Sequence, residues 1–228
     1  MDGKFTISIP KKIKVIFCVP GNNFSGKFLD CWVDLLSHCF RNNISFKISR
    51  QESSVVYYVR NKCLNGDTLQ GPEQKPFQGT EDYTHLMWID SDILFSAKQF
   101  EMLLNHTDKD IVSGIYKMED GQHFATVKKW DTEYFAKNGS FQFMNDEDMK
   151  KEKESFTVSY TGFGFILIKR GVFESMNYPW FEPLPQKIGK AVDFTSEDVA
   201  FCLKAQERGF KIWVDPAIRV GHEKRIAL

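Results

Sequence analysis

The chain has 228 residues, a formal net charge of zero and 42% hydrophobic residues. A chain of this size and composition can bury one sizeable core, so we expect a single globular domain. The balanced charge argues against a protein that grips nucleic acid or anionic membrane through bulk charge, although a local basic groove remains open.

No segment of the sequence is typical of export or of membrane insertion. There is no basic start followed by a long apolar core, and no run reaches the roughly 18 apolar residues that a membrane helix needs. We therefore expect a cytoplasmic protein without a membrane span. The five cysteines form an odd number without a C-x-x-C motif, which predicts buried free thiols.

Strands and helices alternate through the first half of the chain. Short apolar, β-rich runs predict strands at residues 14–19, 44–48, 85–89 and 110–116. Helical spacing of apolar residues predicts helices at about 28–39, 54–64 and 96–104. The polar stretch 67–82, rich in glycine, proline and glutamine, predicts a loop. This alternation predicts parallel βαβ units with helices on both faces of a sheet.

The second half predicts a mixed and less regular arrangement. The expected elements are a turn at Asp120-Gly121 with 123–130 returning, strands at 156–160, 165–168 and 210–214, and helices at 170–176 and 196–208. The charge run 145–154 predicts a solvated, mobile segment. The proline-rich stretch 177–195 predicts a long loop, of the kind that often serves as a functional lid.

One motif places paired carboxylates at the end of a buried strand. The apolar run 86–89 leads directly into Asp90-Ser91-Asp92. Side chains at positions i and i+2 of an extended segment point the same way, so Asp90 and Asp92 should project together. Two such charges need a cation between them, and Mg²⁺ or Mn²⁺ suits oxygen ligands.

The carboxyl ends of neighbouring parallel strands should meet at one crevice. Pro20, Gly21 and Asn22 follow the first strand, Arg50 ends the second, and the Asp-x-Asp motif ends the third. A metal-bridged diphosphate would fit the carboxylates, and Arg50 or Arg60 could clamp its phosphate through the planar guanidinium.

Three other features are open to a structural or a functional interpretation. Glu197 and Asp198 begin a helix, where acidic residues complement the helix dipole, but one of them could also be a general base for an acceptor hydroxyl. His222 is either a solvated tail residue or a further metal ligand. Gly162 and Gly164 predict a close approach of the backbone to a ligand.

In their order along the chain, these motifs resemble the glycosyltransferases of the GT-A fold, especially the small soluble bacterial and viral members. The resemblance spans roughly residues 14 to 224. It rests on Val19-Pro20-Gly21, Val59-Arg60-Asn61, Asp90-Ser91-Asp92, Asp110-Ile111-Val112-Ser113-Gly114, Thr161-Gly162-Phe163-Gly164-Phe165, Ser196-Glu197-Asp198-Val199, the stretch 209–216 and His222.

The resemblance implies a single α/β domain with a GT-A (Rossmann-like) mixed, mainly parallel sheet flanked by helices. Residues 1–12 would be a flexible lead-in, and 217–228 a C-terminal tail that closes the metal site. The implied activity is that of a hexosyltransferase-type enzyme with Mn²⁺ or Mg²⁺, a UDP-sugar as the most common donor, and a glycan or other hydroxyl acceptor. No nucleic-acid partner is implied.

The resemblance also implies roles for individual residues. Asp92 and His222 would bind the metal directly, and Asp90 would lie near the ribose or the metal. In inverting relatives the second acid of the Glu-Asp motif, here Asp198 beside Glu197, is the base. The expected nucleotide-sugar contacts are Pro20, Gly21, Asn22, Arg50, Arg60, Asp90, Ser91, Gly162 and Gly164.

Two alternatives remain open from the sequence. A nucleotidyltransferase has a similar sheet and metal carboxylates, but it should carry a glycine-rich basic loop after the first strand, and Pro20-Gly21-Asn22-Asn23 does not. A non-catalytic glycan- or nucleotide-binding module is the other alternative. The donor sugar, the acceptor, the stereochemical course and the oligomeric state are not readable from the sequence.

Overall fold

The computed structural model describes residues 13–224. The predicted lead-in 1–12 and the last four residues of the predicted tail 217–228 lie outside this range. Within it, no helix is long and apolar enough to cross a bilayer. The α-helices are α1 (Gly26–Arg41), α2 (Val56–Cys63), α3 (Ala97–Leu104), α4 (Thr132–Asn138), α5 (Asp146–Lys151) and α6 (Glu197–Glu207).

The strands are distributed along the whole described part of the chain. They are β1 (Lys14–Pro20), β2 (Ser45–Gln51), β3 (His85–Ile89), β4 (Ile93–Leu94), β5 (Ile111–Ile115), β6 (His123–Val127), β7 (Phe143–Asn145), β8 (Phe156–Val158), β9 (Tyr160–Thr161), β10 (Phe165–Lys169), β11 (Pro185–Ile188), β12 (Ala191–Phe194), β13 (Ile212–Arg219) and β14 (Gly221–His222). Short 3₁₀ turns occupy Thr68–Gln70, Pro76–Gly79 and Phe173–Ser175.

Seven strands form the central sheet, in the order β2-β1-β3-β10-β5-β13-β8. β1 pairs in parallel with β2 and β3, and β13 pairs in parallel with β5. β10 runs antiparallel between β3 and β5, and β8 is an antiparallel edge strand. Five strands therefore share one direction, which confirms the predicted mixed, mainly parallel sheet.

Hydrophobic cores lie on both faces of this sheet. Along β1, Phe17 packs into the core that contains residues of α1 and α3, whereas Ile16 and Cys18 pack into the core that contains residues of α2 and α6. Successive side chains of a strand point to opposite faces, so a strand with helices on both sides must be apolar throughout. This explains why β1 and β3 appear in the sequence as continuous apolar runs. All five cysteines are free thiols and four are buried, as expected.

Two segments predicted to be irregular contain regular structure. The charge run 145–154 includes α5, which begins with a capping box between Asn145 and Asp148 and buries Met149. These hydrogen bonds and one apolar anchor order a segment whose charges alone predicted a solvated, mobile chain. The predicted loop 177–195 contains the antiparallel hairpin β11–β12. Helix α4 was not predicted.

Two other boundaries also differ from the predictions. The helix expected at 170–176 is only a 3₁₀ turn, and β13 continues through Pro216 instead of ending before it. A register shift between Val214 and Arg219 interrupts the pairing of β13 with β5. Proline is tolerated at such an irregularity because its missing N–H is not required there.

His85, at the start of β3, makes the stability of the domain depend on pH. The side chain is buried; its Nδ1 lies 3.0 Å from the Thr84 hydroxyl, and its Nε2 has no hydrogen-bond partner among the described residues. Burial, helped by the charge of Lys169, lowers the pKa of His85 to about 4. An unfolded histidine has a pKa of about 6.5, so the unfolded chain binds more protons below that pH, and stability falls as the pH falls from about 6.5 to 4.

We expect the His85→Gln variant to lose less stability on acidification than the wild type. The difference in unfolding free energy between pH 7 and pH 4.5 should be about 1 to 2 kcal/mol smaller in the variant, because glutamine does not titrate. Urea unfolding followed by circular dichroism at both pH values measures it. Equal losses in the two proteins would show that His85 does not contribute.

Candidate functional site

The ends of β1, β2 and β3 contact one another at the carboxyl edge of the sheet. The backbone N–H of Gly21 donates to the Gln51 carbonyl at 2.9 Å, and Arg50 Nη1 donates to the Gly21 carbonyl at 2.8 Å. A Cβ added to Gly21 would lie 2.7 Å from Ser91 Oγ, and Gly21 has a φ of +130°. Three of the predicted nucleotide-binding residues, Gly21, Arg50 and Ser91, are therefore brought together.

An apolar pocket of about 200 Å³ lies beside this contact. The Arg50 guanidinium is 6.0 Å from the centroid of the Phe24 ring. Of the other predicted residues of the first loop, Pro20 is buried and Asn22 is exposed. The pocket is lined by Val19, Phe24, Phe28, Leu29, Trp32, Ile48 and Arg50. Its size and apolar walls suit a flat ring, and Arg50 adds a cation at its border.

A buried arginine joins the two acidic motifs. Arg60 of α2 donates from Nη1 and Nη2 to the two carboxylate oxygens of Asp90, and from Nε to Glu197 Oε1, each at 3.0 Å. Three aromatic rings surround its guanidinium, the nearest being Phe163 at 5.1 Å. Burial acts to lower the pKa of Arg60, but the two carboxylates outweigh it and raise the pKa. Arg60 therefore stays charged and holds the end of β3 against the start of α6.

This bridge restricts the roles of Asp90 and Glu197. Both oxygens of Asp90 accept from Arg60, so its carboxylate is already neutralised rather than left facing Asp92. Glu197 is 7% exposed and anchors α6 through Arg60. Burial raises the pKa of Glu197, while the charge of Arg60 opposes that rise. Arg60 therefore balances the charge of both carboxylates, whereas Asp92 and Asp198 contact other partners.

Asp92 and His222, which the resemblance assigned to a common metal ion, lie in contact. β14 pairs with β4, matching His222 to Ile93, and the N–H of Glu223 donates to the Asp92 carbonyl at 2.7 Å. His222 Nε2 lies 3.1 Å from Asp92 Oδ2. Lys224, which the sequence did not single out, donates to the same oxygen at 2.9 Å.

The donor atoms of Asp92 and His222 fit a divalent cation. The Lys117 carbonyl lies 2.7 Å from His222 Nδ1, which orients Nε2 towards Asp92 in the manner of metal-binding histidines. Lys224 already provides a positive charge at Asp92. Burial acts to raise the pKa of Asp92, but hydrogen bonds from His222 and Lys224 lower it to about 2. Burial acts to lower the pKa of His222, but its bonds to Asp92 and to the Lys117 carbonyl raise it.

These protein ligands do not form a complete metal shell. Across residues 13–224, no group of three or more histidine, cysteine, aspartate or glutamate side chains is placed to hold a metal ion. Asp92 and His222 are in contact with each other here, whereas Asp90 is paired with Arg60. A cation here would need further oxygen ligands from a bound anion or from water.

Asp198 is a half-buried carboxylate held firmly at the start of α6. Its Oδ2 accepts from the Tyr160 hydroxyl at 3.0 Å, and its Oδ1 accepts from the Ser196 hydroxyl at 2.5 Å and from the Val199 N–H at 2.8 Å. Ser196 occupies the N-cap position, but its side chain makes no capping bond to the helix. These contacts fix the orientation of Asp198, as a general base requires.

The two glycines of the turn before β10 make room for a tyrosine. A Cβ on Gly162 would lie 2.0 Å from the Tyr116 hydroxyl oxygen, and one on Gly164 would lie 2.8 Å from the Tyr116 ring. The approach of the backbone to a ligand at these glycines stays a prediction, and the structure places Tyr116 beside both of them. The Gly164 N–H donates to the Tyr116 hydroxyl at 3.2 Å, and the ring centroids of Tyr116 and His222 are 5.1 Å apart.

The Tyr116 hydroxyl is close enough to both Asp90 and Asp198 to be affected by their charges. Burial, with the charges of Asp90 and Asp198, raises the pKa of its hydroxyl, so Tyr116 stays neutral between them. It follows β5, a parallel strand, and the rule that placed Asp90 at this edge could have identified it. Tyr160 and Lys224 had no comparable signal, because their roles depend on contacts with Asp198 and Asp92 that lie far away in sequence.

The hairpin β11–β12 extends from this site. Asn61, next to Arg60 on α2, accepts from the Trp180 N–H at 3.1 Å and donates to the Phe181 carbonyl at 2.7 Å, which anchors the chain that leads into the hairpin. The returning strand exposes Val192 (68%) and Phe194 (67%) shortly before Asp198. Side chains two residues apart on a strand share a face, so these two form an apolar surface on the hairpin.

Comparison with known proteins supports the fold. No family model matches the sequence, and no curated protein matches it. The crystal structure of A197 from STIV matches with a TM-score of 0.51 and 17% identity, covering 95% of this chain and 96% of that one. GalNAc-T7, solved with UDP, GalNAc and Mn²⁺, matches with a TM-score of 0.52 and 12% identity. That match covers 94% of this chain but only 44% of the GalNAc-T7 chain.

At such identities the likeness concerns the fold alone. The mixed, mainly parallel central sheet with helices on both faces matches the GT-A fold. The fold predicted from the ordered motifs is therefore confirmed.

Proposed function

We propose that this chain is a metal-dependent glycosyltransferase that moves a sugar from a UDP-sugar to a hydroxyl of a glycan or similar acceptor. The observation that carries the proposal is the Arg60 bridge, which joins the Asp-x-Asp strand end to the start of α6. Through Arg60, Asp90 and Glu197 are held together. Asp92, which contacts His222, lies two residues after Asp90, and Asp198 directly follows Glu197. The GT-A fold shared with GalNAc-T7, which was solved with UDP, GalNAc and Mn²⁺, supports the same activity.

Asp92 and His222 would hold the Mn²⁺ or Mg²⁺ ion. The Lys117 carbonyl keeps His222 in the required orientation, and the low pKa of Asp92 keeps its carboxylate charged. A bound divalent ion would neutralise charge on the departing diphosphate. We assign Asp90 to the ribose, because oxygens that accept from Arg60 retain lone pairs for the ribose hydroxyls.

The apolar pocket beside Arg50 would take the nucleobase. Its walls between α1 and β2 can cover the flat ring, and the Arg50 guanidinium lies at its edge. Backbone groups of Pro20, Gly21 and Asn22, with Ser91 against Gly21, would then lie along the ribose and diphosphate. This assignment uses the residues that the sequence marked for the nucleotide, apart from Gly162 and Gly164.

Asp198 is assigned as the general base of an inverting transfer. It would accept the proton of the acceptor hydroxyl while that oxygen bonds to the anomeric carbon and the bond from this carbon to the diphosphate breaks. Glu197 would act indirectly, by fixing Arg60 and the start of α6. The exposed Val192 and Phe194 on the adjacent hairpin would contact the apolar face of an acceptor sugar ring.

A donor screen tests this proposal. The protein is incubated with Mn²⁺ and a panel of nucleotide sugars, with and without candidate glycan acceptors, and released nucleotide is measured. We expect release with one class of UDP-sugar. Absence of release, together with absence of UDP binding with any divalent metal, would refute the proposal. Release of diphosphate from a nucleoside triphosphate would instead support a nucleotidyltransferase.

The Asp92→Ala variant is expected to lose metal-dependent nucleotide binding. Calorimetry in Mn²⁺ should show a dissociation constant for UDP about 10- to 100-fold higher than that of wild type. Without Mn²⁺, the dissociation constants of the two proteins should differ little. The control is Asp215→Ala, because Asp215 contacts His106 at 2.8 Å and thus forms an aspartate–histidine pair outside the proposed site. Equal UDP affinities of Asp92→Ala and wild type in Mn²⁺ would remove Asp92 from the metal site.

A further inference from the structure

The carboxylate of Asp92 already has a cation next to it. Lys224 Nζ donates to Asp92 Oδ2 at 2.9 Å, and His222 Nε2 lies 3.1 Å from the same oxygen. The two nitrogen atoms therefore converge on one oxygen of the carboxylate proposed to bind the metal. An ammonium group at this place has the charge, although not the coordination geometry, of a bound cation.

The backbone keeps Lys224 close to Asp92. Gly221 and His222 pair with Leu94 and Ile93, and the N–H of Glu223 donates to the Asp92 carbonyl at 2.7 Å. The segment 221–223 therefore lies along the chain that follows Asp92. A group tethered in this way has a high effective concentration, so even a weak ion pair with Asp92 is formed much of the time.

A divalent ion and the Lys224 ammonium cannot both bind Asp92 without repelling each other. Asp90, the other carboxylate of the motif, already balances a charge, because both of its oxygens accept from Arg60. A metal ion must therefore displace Lys224 before it can use Asp92. The Lys224 side chain is 40% exposed, so it can move into solvent.

We propose that Lys224 is an internal counter-ion that competes with divalent cations for Asp92 and so makes cation binding depend on the nucleotide. This inference rests on the proposed function. Without nucleotide, the ion gains two protein ligands and must displace an ammonium group. With nucleotide, the negative diphosphate supplies further oxygen ligands and charge, and the exchange becomes favourable.

The test is the affinity for Mn²⁺ in the absence of nucleotide. Mn²⁺ is titrated into the full chain, and the paramagnetic broadening of the His222 ring signal is followed by NMR; a His222→Gln sample assigns that signal among the five histidines. We expect Lys224→Met to bind Mn²⁺ about two- to fivefold more tightly than wild type, as the loss of an exposed competing ion pair predicts. Lys224→Arg, which keeps the charge, should stay near the wild-type value.

The matched control is Lys151→Met. Lys151 donates to Asp148 at 2.9 Å on α5, so this change removes one charge and one ion pair of the same length outside the site. Its Mn²⁺ affinity should equal that of wild type. UDP should also raise the Mn²⁺ affinity of Lys224→Met by a smaller factor than that of wild type. The reason is that the variant already binds Mn²⁺ more tightly in the absence of UDP.

Two results separate this inference from the proposed function. If wild type binds Mn²⁺ and UDP together, but Lys224→Met binds Mn²⁺ alone no more tightly than wild type, the counter-ion role is wrong and the function stands. If wild type binds neither Mn²⁺ nor UDP in any combination, both proposals fail. A purely structural role of Lys224 would weaken Mn²⁺ binding on substitution, which is the opposite of the expected change.

Discussion

Replacement of Arg60 by methionine is expected to lower the free energy of unfolding by about 3 to 5 kcal/mol. The side chains of Glu197 and Asp90 are only 9% and 25% exposed, so the substitution would leave two poorly solvated carboxylates without their counter-charge. Methionine keeps most of the apolar stem that packs among the surrounding rings. The lower free energy of unfolding would therefore arise mainly from the two unpaired carboxylates and not from a cavity.

Urea unfolding at pH 7 measures this effect, with Arg170→Met as the control. Arg170 is 45% exposed and makes ionic contacts of 3.9 Å, so its replacement should cost less than about 1 kcal/mol. The double variant Arg60→Met with Glu197→Gln should regain part of the loss, because it removes one of the orphaned charges. A loss in Arg60→Met no greater than in Arg170→Met would show that the bridge does not hold the site together.

The Asp198→Asn variant is expected to transfer sugar about 10²- to 10⁴-fold more slowly than wild type, with unchanged affinity for UDP. Asparagine has the shape of aspartate and its carbonyl can still accept from the Tyr160 hydroxyl, so the start of α6 should stay in place. It cannot accept a proton from the acceptor. The loss should therefore appear in kcat, whereas donor binding and stability should change little.

Steady-state kinetics and UDP calorimetry on the same samples provide the measurement. Asp193→Asn is the control, because Asp193 lies exposed on the nearby strand β12 and makes the same change of charge. Its kcat should equal that of wild type. If Asp198→Asn retained full kcat, or if NMR of the product showed retained anomeric configuration, the role of Asp198 as an inverting base would be wrong.

Much of the architecture was readable from the sequence because it depends on local patterns. The apolar runs that become β1 and β3 are buried on both faces, and the helical spacing from Phe28 to Cys39 lies within α1. The errors occurred where local composition competes with tertiary contacts. Met149 anchors a highly charged helix, and a hairpin forms within a proline-rich stretch.

The sequence by itself determined the type and order of most elements of the central sheet, and it located Asp90, Asp92 and Asp198 at the ends of such elements. Such assignments need only periodicity and the rule that parallel strands end at one edge. The resemblance already assigned Asp92 to the metal and Asp90 to the ribose or the metal, but it gave no physical reason for the difference.

Only the tertiary structure shows why the two carboxylates differ. Asp90 is paired with Arg60, which is 30 positions away in sequence, and Asp92 is paired with His222, which is 130 positions away. These partners come from α2 and β14, and their positions depend on how distant elements pack against the sheet. The charge that neutralises a carboxylate decides what it can bind, and no local pattern encodes which distant side chain supplies that charge.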